Sequence, residues 1–173
     1  MNIGILSDSH LKSDYTKDVI DFLKNEDCQY LVHAGDLCIE KNLQLLEESN
    51  LSYVAVFGNN DRSLLSLASK YNIKNEPYYF KIKDIKFKLM HLPYHMTPDC
   101  DVLIFGHTHK FESDYKNKTL FLNPVTITEE GVTFNWENER RKLTPEISMQ
   151  LQHQIGADIH FAFDECTSPL NVS

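Results

Sequence analysis

The chain has 173 residues, 42% hydrophobic and 24% charged, and its 17 Lys and Arg against 25 Asp and Glu leave a net charge of −8. That length suits one domain better than two, and the balance of apolar and charged residues excludes a disordered or fibrous chain. An acidic surface repels polyanions, so stable nucleic-acid binding is not expected, and no apolar run approaches the roughly 18 residues of a membrane span.

The first strand is expected over residues 2–7, an apolar run that delivers the polar cluster Ser7-Asp8-Ser9-His10. It begins without a basic stretch and meets a carboxylate at once, which does not read as a signal peptide, so the expected address is the cytoplasm. A helix follows over 16–25 behind Thr16 as its N-cap, with Val19, Ile20 and Leu23 at helical spacing. Residues 29–34 form a second strand ending in Gly35-Asp36, 42–49 a second helix, and 53–57 a third strand ending in Gly58-Asn59-Asn60-Asp61. A third helix spans 63–70. Strand and helix thus alternate three times, the pattern of a parallel sheet wrapped by helices. The second half is rich in strands: 79–82, 85–90, 102–105, 111–115 and 119–122, with turns at Asp84 and at Asn117-Lys118. The expected class is therefore α/β, two sheets face to face with helices outside. Cys28, Cys38, Cys100 and Cys166 form no CxxC pair and are expected to be free thiols.

Each apolar strand hands over to a polar group: Asp8-Ser9-His10, Gly35-Asp36, Gly58-Asn59-Asn60-Asp61, then His91 and Gly106-His107-Thr108-His109. Loops at the carboxyl ends of strands in an open α/β sheet share one edge, so these groups should converge. Carboxylate, amide and imidazole together suit a pair of divalent transition metals better than calcium. Two such ions can activate water and clamp the oxygens of a phosphate. Taken singly each residue has an ordinary structural role, a helix cap for an Asp or a packed core site for a His. The ordered set does not.

That set resembles the calcineurin-like metallophosphoesterases, in particular their short prokaryotic phosphodiesterase branch, over about residues 1–124; Asn123-Pro124 is similar to the asparagine-proline after the last histidine pair there. The resemblance implies a four-layer α/β/β/α sandwich with a dinuclear centre. One metal would take Asp8, His10 and His109, the other Asn59, His91 and His107, with Asp36 bridging. The nucleophile would be metal-bound hydroxide, with no catalytic side chain beyond it. Manganese is the expected ion, and nickel, iron or zinc fit the same ligands. Position 60 is asparagine where many members carry a histidine that protonates the leaving group, so aryl phosphodiesters should be favoured over alkyl ones. Leu92 stands where a glycine commonly follows the metal-binding histidine, which makes His95 a competitor for the role of His91. His33, Asn60 and Asp61 are expected behind the ligands, orienting them; for Asp61 a helix N-cap is an equal alternative. Tyr78-Tyr79-Phe80 is either a platform for a nucleobase or core packing.

From about residue 127 to 170 the chain is similar to tRNA-guanine transglycosylases, through Thr144-Pro145-Glu146 and Phe163-Asp164-Glu165-Cys166. Thr144 caps, Pro145 takes the first helical position, and Ile147, Leu151 and Ile155 share one stripe. A short strand over 159–163 follows, so the tail reads strand-helix-strand. Asp164 matches the aspartate that contacts the base in that family. Residues 125–173 are too few to close a barrel, so this tail is not expected to be an independent domain or to exchange bases in tRNA. Val132–Trp136 is one candidate to replace the phosphoesterase's closing strand, and an uncovered edge would favour a homo-oligomer. The leading function is hydrolysis of small phosphodiesters. The alternative is a protein-binding scaffold, the use to which the retromer subunit puts this fold, and a remnant of a transglycosylase ranks behind both.

Overall fold

The computed structural model describes residues 1–124 and the backbone of Val132–Trp136, Glu139–Leu143 and Ile159–Phe161. Strands β1 (Asn2–Leu6), β2 (Cys28–His33), β3 (Ser52–Val56) and β4 (Ile73–Lys74) run parallel in one sheet. Helices α1 (Ser13–Asn25) and α2 (Glu40–Glu48) cross over between the first three strands. The connection from β3 to β4 is a 3-10 helix, Arg62–Leu67, and not the α-helix expected over 63–70. Asp61 stands at its N-terminus, but its carboxylate caps nothing there and is used elsewhere. Helix α1 starts before the expected position, and Thr16 lies inside its first turn, its hydroxyl donating to the Lys12 carbonyl at 2.9 Å.

The second sheet is mixed, in the order β5 (Tyr78–Ile82), β6 (Ile85–Leu89), β7 (Val102–Ile104), β9 (Thr119–Asn123), β8 (Glu112–Lys116). Its hairpins turn at Lys83 and at Asn117-Lys118, all three with positive φ. Ile3, Ile5, Val32, Val54 and Val56 of the first sheet meet Ile82, Phe87, Leu89, Val102, Ile104 and Leu122 of the second, and this apolar layer binds the two sheets together. Leu6, Leu31 and Ala55 pack the opposite face of the first sheet against Ile20, Leu23, Leu43 and Leu46 of the helices. Strands β1 to β3, buried on both faces, are for this reason nearly continuous apolar runs. Among the described residues no helix covers the outer face of the second sheet; Met96 and Cys100 of the irregular segment 92–100 pack there on Met90, Leu103, Phe105 and Phe121. Phe80 stacks with Tyr30, Tyr78 and Phe87, which makes Tyr78 and Phe80 core packing, whereas Tyr79 is exposed on the opposite face of the strand, its hydroxyl donating to Asp99 at 2.7 Å.

Beyond residue 124, β10 (Val132–Trp136) and β11 (Glu139–Leu143) pair antiparallel as a separate ribbon. Strand β12 (Ile159–Phe161) adds parallel to the free edge of β1, with Ile3 opposite Ile159 and Ile5 opposite Phe161. Thus Ile159–Phe161, and not Val132–Trp136, extends the phosphoesterase-like sheet. The helix expected from Thr144, together with Asp164 and Cys166, lies outside the described residues.

Candidate metal centre

The carboxyl ends of β1, β2, β3, β6 and β7 open onto one edge of the sandwich, and the loops leaving them carry all seven expected ligands. Two trios converge there. Asp8, His10 and His109 bring ligand atoms within 4.8 Å of one another, and so do Asp8, Asp36 and His91. Asn59 joins through Oδ1, 2.9 Å from His91 Nε2. His107 is in neither trio; its ring stands edge-on to that of His91, centroids 5.2 Å apart. His91 is fully buried, whereas His95 is exposed and outside both groups.

Local backbone geometry marks the same residues. Asp8, His10, Asp36, His107 and His109 all have positive φ, between 46° and 68°. L residues avoid that region at a cost of order 1 kcal/mol each, and it persists where the surroundings dictate it. Here the loops hydrogen-bond one another: Asp8 N to the Gly35 carbonyl and His10 N to the Asp36 carbonyl, both at 2.9 Å. Gly35 has φ +96°, and a Cβ on it would sit 2.7 Å from the His91 ring, so only glycine lets that imidazole reach the floor of the site.

Behind the ligands lies a shell of fixed hydrogen bonds. His33, fully buried, accepts the Gly35 N–H at Nδ1 (3.2 Å), so its Nε2–H donates to Ser9 Oγ (2.6 Å). Burial pushes this imidazole down to about 3, and it is neutral. Asp61, also fully buried, accepts Cys38 N at 2.6 Å and Gly58 N at 2.8 Å, tying the Asp36 loop to the Asn59 loop. Burial outweighs those bonds and raises its carboxyl above the usual range. Asn60 clamps Asp36 from two sides, its backbone N on Oδ1 (2.8 Å) and its Nδ2 on Oδ2 (2.6 Å). Three further braces complete the shell; of these only Asn123 is marked in the sequence, by its likeness to the family's asparagine-proline. Glu76 accepts the N–H groups of His91 and Leu92. Asn42, at the start of α2, donates to the carbonyls of His10 (2.8 Å) and Leu37 (2.7 Å). Asn123 donates to Thr108 Oγ1 (2.6 Å) between the two histidines of the last loop.

The donor set fits a cation. Asp8 Oδ1 and His10 Nε2 are buried without a hydrogen-bond partner, a costly state for a carboxylate oxygen and an imidazole nitrogen. His91 Nδ1 lies 2.8 Å from the Ala34 carbonyl, which can only accept, so the ring donates there. Its Nε2 lone pair then faces Asn59 Oδ1 at 2.9 Å and Asp36 Oδ2 at 3.4 Å, an arrangement that a positive charge between them relieves. Accordingly, burial opposes charge on His91, but Asp36 and Asp8 outweigh it and raise its pKa; burial likewise opposes charge on Asp36, yet His91 and Asn60 hold it well below the usual carboxylate range. Burial also lowers His109, against the pull of Asp8.

The family profile of the calcineurin-like phosphoesterase superfamily domain matches residues 1–135. The chain belongs to that superfamily. A phosphodiesterase of Methanocaldococcus jannaschii is 27% identical over 137 residues, covering 72% of this calcineurin-like chain and 82% of the relative. The solved structure of a novel archaeal phosphodiesterase superposes with a TM-score of 0.64 at 23% identity, over 83% of this chain and 99% of that one. Vps29 of Entamoeba histolytica, solved in complex with zinc, superposes with a TM-score of 0.54 at 25% identity, over 72% and 74% of the two chains. The C-terminal part of this calcineurin-like phosphoesterase matches a second profile, queuine tRNA-ribosyltransferase, over residues 105–173. A putative enzyme of that name from Archaeoglobus fulgidus is 51% identical over 49 residues, 27% of this chain but 12% of the relative. The chain thus spans about an eighth of the length of that relative. Among the described residues no helix is long and apolar enough to cross a membrane.

Proposed function

We propose that the chain hydrolyses small phosphodiesters at a centre of two divalent cations, manganese being the expected ion, in the cytoplasm. The observation that carries this reading is the pair of converging trios on Asp8, His10, His109 and Asp8, Asp36, His91, with Asp8 Oδ1 and His10 Nε2 buried and unpartnered among them. Asp8, His10 and His109 would hold one ion and Asn59, His91 and His107 the other, with Asp36 between. When bound, such ions supply Lewis acidity toward the phosphate oxygens and lower the pKa of water for in-line attack. The chain's own part is positional. The Ala34 carbonyl fixes the His91 tautomer, and Asn60 and Asp61 hold the Asp36 and Asn59 loops in register. Asn60 spends its amide on Asp36 and has no proton to give a departing alkoxide, which supports a preference for esters whose leaving group needs none. Residues 1–124 carry this activity in our reading, with Ile159–Phe161 extending their first sheet, and no tRNA base exchange is expected of the C-terminal part.

Bis-p-nitrophenyl phosphate is the test substrate. Manganese should stimulate its hydrolysis, chelation should abolish it, and Asp36→Ala should lower turnover at least about 100-fold. Equal rates with and without metal, and in the variant, would overturn the proposal.

A further inference from the structure

Cys38 has no part in the expected ligand set, yet its conformation and contacts are those of a constrained functional residue. Its φ is +61°, in the left-handed region where glycine or asparagine sits without strain and cysteine does not. The backbone is held there by the short bond from Cys38 N to the buried carboxylate of Asp61. A side chain kept at a position that favours glycine calls for a reason in the side chain. Its Sγ lies 3.5 Å from His10 Nδ1, within hydrogen-bond range for sulfur. His10 is fixed at the backbone on both sides, by Asp36 and by Asn42, so the orientation of its ring is decided at the side chain. Its other nitrogen, Nε2, is buried and unpartnered in the trio with Asp8 and His109, where Asp8 Oδ1 of a carboxylate 3% exposed is unpartnered as well.

We propose that the Cys38 sulfur is a positioning group for His10: it accepts the Nδ1–H and so leaves the Nε2 lone pair turned toward Asp8 and His109, ready for a cation. Which imidazole nitrogen binds a metal is set by the hydrogen bond that the other one makes. The inference rests on the metal reading of the site for its purpose, but the contact itself exists in the metal-free protein and can be examined there.

Cys38→Gly relieves the backbone and removes the acceptor, while Cys38→Ser keeps an acceptor at the same point. In metal-free protein, nitrogen NMR of the histidine side chains should give His10 as the Nδ1–H tautomer in the wild type and in Cys38→Ser, and as a mixture in Cys38→Gly. Calorimetric titration with manganese should then show one of two sites weakened about 10- to 100-fold in Cys38→Gly and largely kept in Cys38→Ser. An unchanged His10 tautomer in Cys38→Gly overturns the proposal, and so does wild-type manganese affinity at both sites in that variant. A wild type that binds no manganese overturns the metal reading instead, and the tautomer measurement still decides the contact.

Discussion

Gly58→Ala offers a way to move the Asp36 carboxylate without replacing any of the seven candidate ligands. Gly58 is not in the left-handed region, so alanine is allowed by its dihedrals and contact alone decides the outcome. A Cβ built there lies 2.3 Å from the backbone N of Asp36 and 2.2 Å from its Oδ1. Opening the backbone gap to the shortest separation real Cβ atoms show, 3.0 Å, needs about 0.7 Å of movement. That is several times the roughly 0.2 Å tolerance of a metal–ligand distance. The yielding partner is main chain, held by the His10 N–H on the Asp36 carbonyl and, two residues on, by the Asp61 bond to Cys38 N, so rotamer adjustment cannot absorb it. The expected cost is about 1–3 kcal/mol of stability from overpacking, and about 100-fold in kcat/KM from misplaced chemistry. Gly4→Ala is the control: its Cβ would meet Leu23 Cδ1 at 2.7 Å in the helix-facing core, away from the ligands. Urea denaturation, manganese titration and hydrolysis of the aryl diester separate the two. Gly4→Ala should lose stability and keep metal affinity, and Gly58→Ala should lose both. Wild-type affinity and turnover in Gly58→Ala would refute the reasoning.

Two further outcomes follow from the same geometry. His33 is neutral in the fold down to about pH 3, against an ordinary 6.5, so the unfolded chain takes up its proton first and the stability this residue contributes is lost as pH falls below 6.5. The loss is at most about 1.4 kcal/mol per pH unit, and urea midpoints at pH 7 and 4.5 should differ less in His33→Gln than in the wild type; an equal difference sinks the assignment. Asn59→Gly keeps the turn and removes the oxygen facing His91, so elemental analysis should find one manganese lost and activity with it, whereas two ions and wild-type rates would make Asn59 a turn residue only.

Most of the site was readable because each apolar run ends where a polar residue begins, and parallel strands bring such ends to one edge. Asp8, Asp36, Asn59 and His91 are at that edge for this reason. The choice of His91 over His95 depended on burial, which spacing does not report. Strand β4 escaped notice at two residues, Ile73–Lys74, too short to carry a period. The helix expected over 63–70 failed on a competing bond: the Asp61 carboxylate that would have capped it holds Cys38 and Gly58. Glu76 and Asn42 each hold two backbone groups through one side chain, and nothing in their neighbourhoods announces it, whereas Asn123 was marked by the Asn123-Pro124 likeness but its bond to Thr108 was not.

The seat of Ile159–Phe161 beside β1 bears on how such a chain could arise. A strand that joins an edge is received through amide and carbonyl groups, and every residue but proline offers both. The receiving edge therefore asks little about ancestry. A fragment resembling part of a barrel enzyme can be spliced behind a different fold and still find a ladder to complete, with no side chains selected in advance for the meeting. Joining two genes at this point adds a strand to the sheet that bears Asp8, and drift in the newcomer is tolerated as long as its main chain keeps step with Ile3, Gly4 and Ile5.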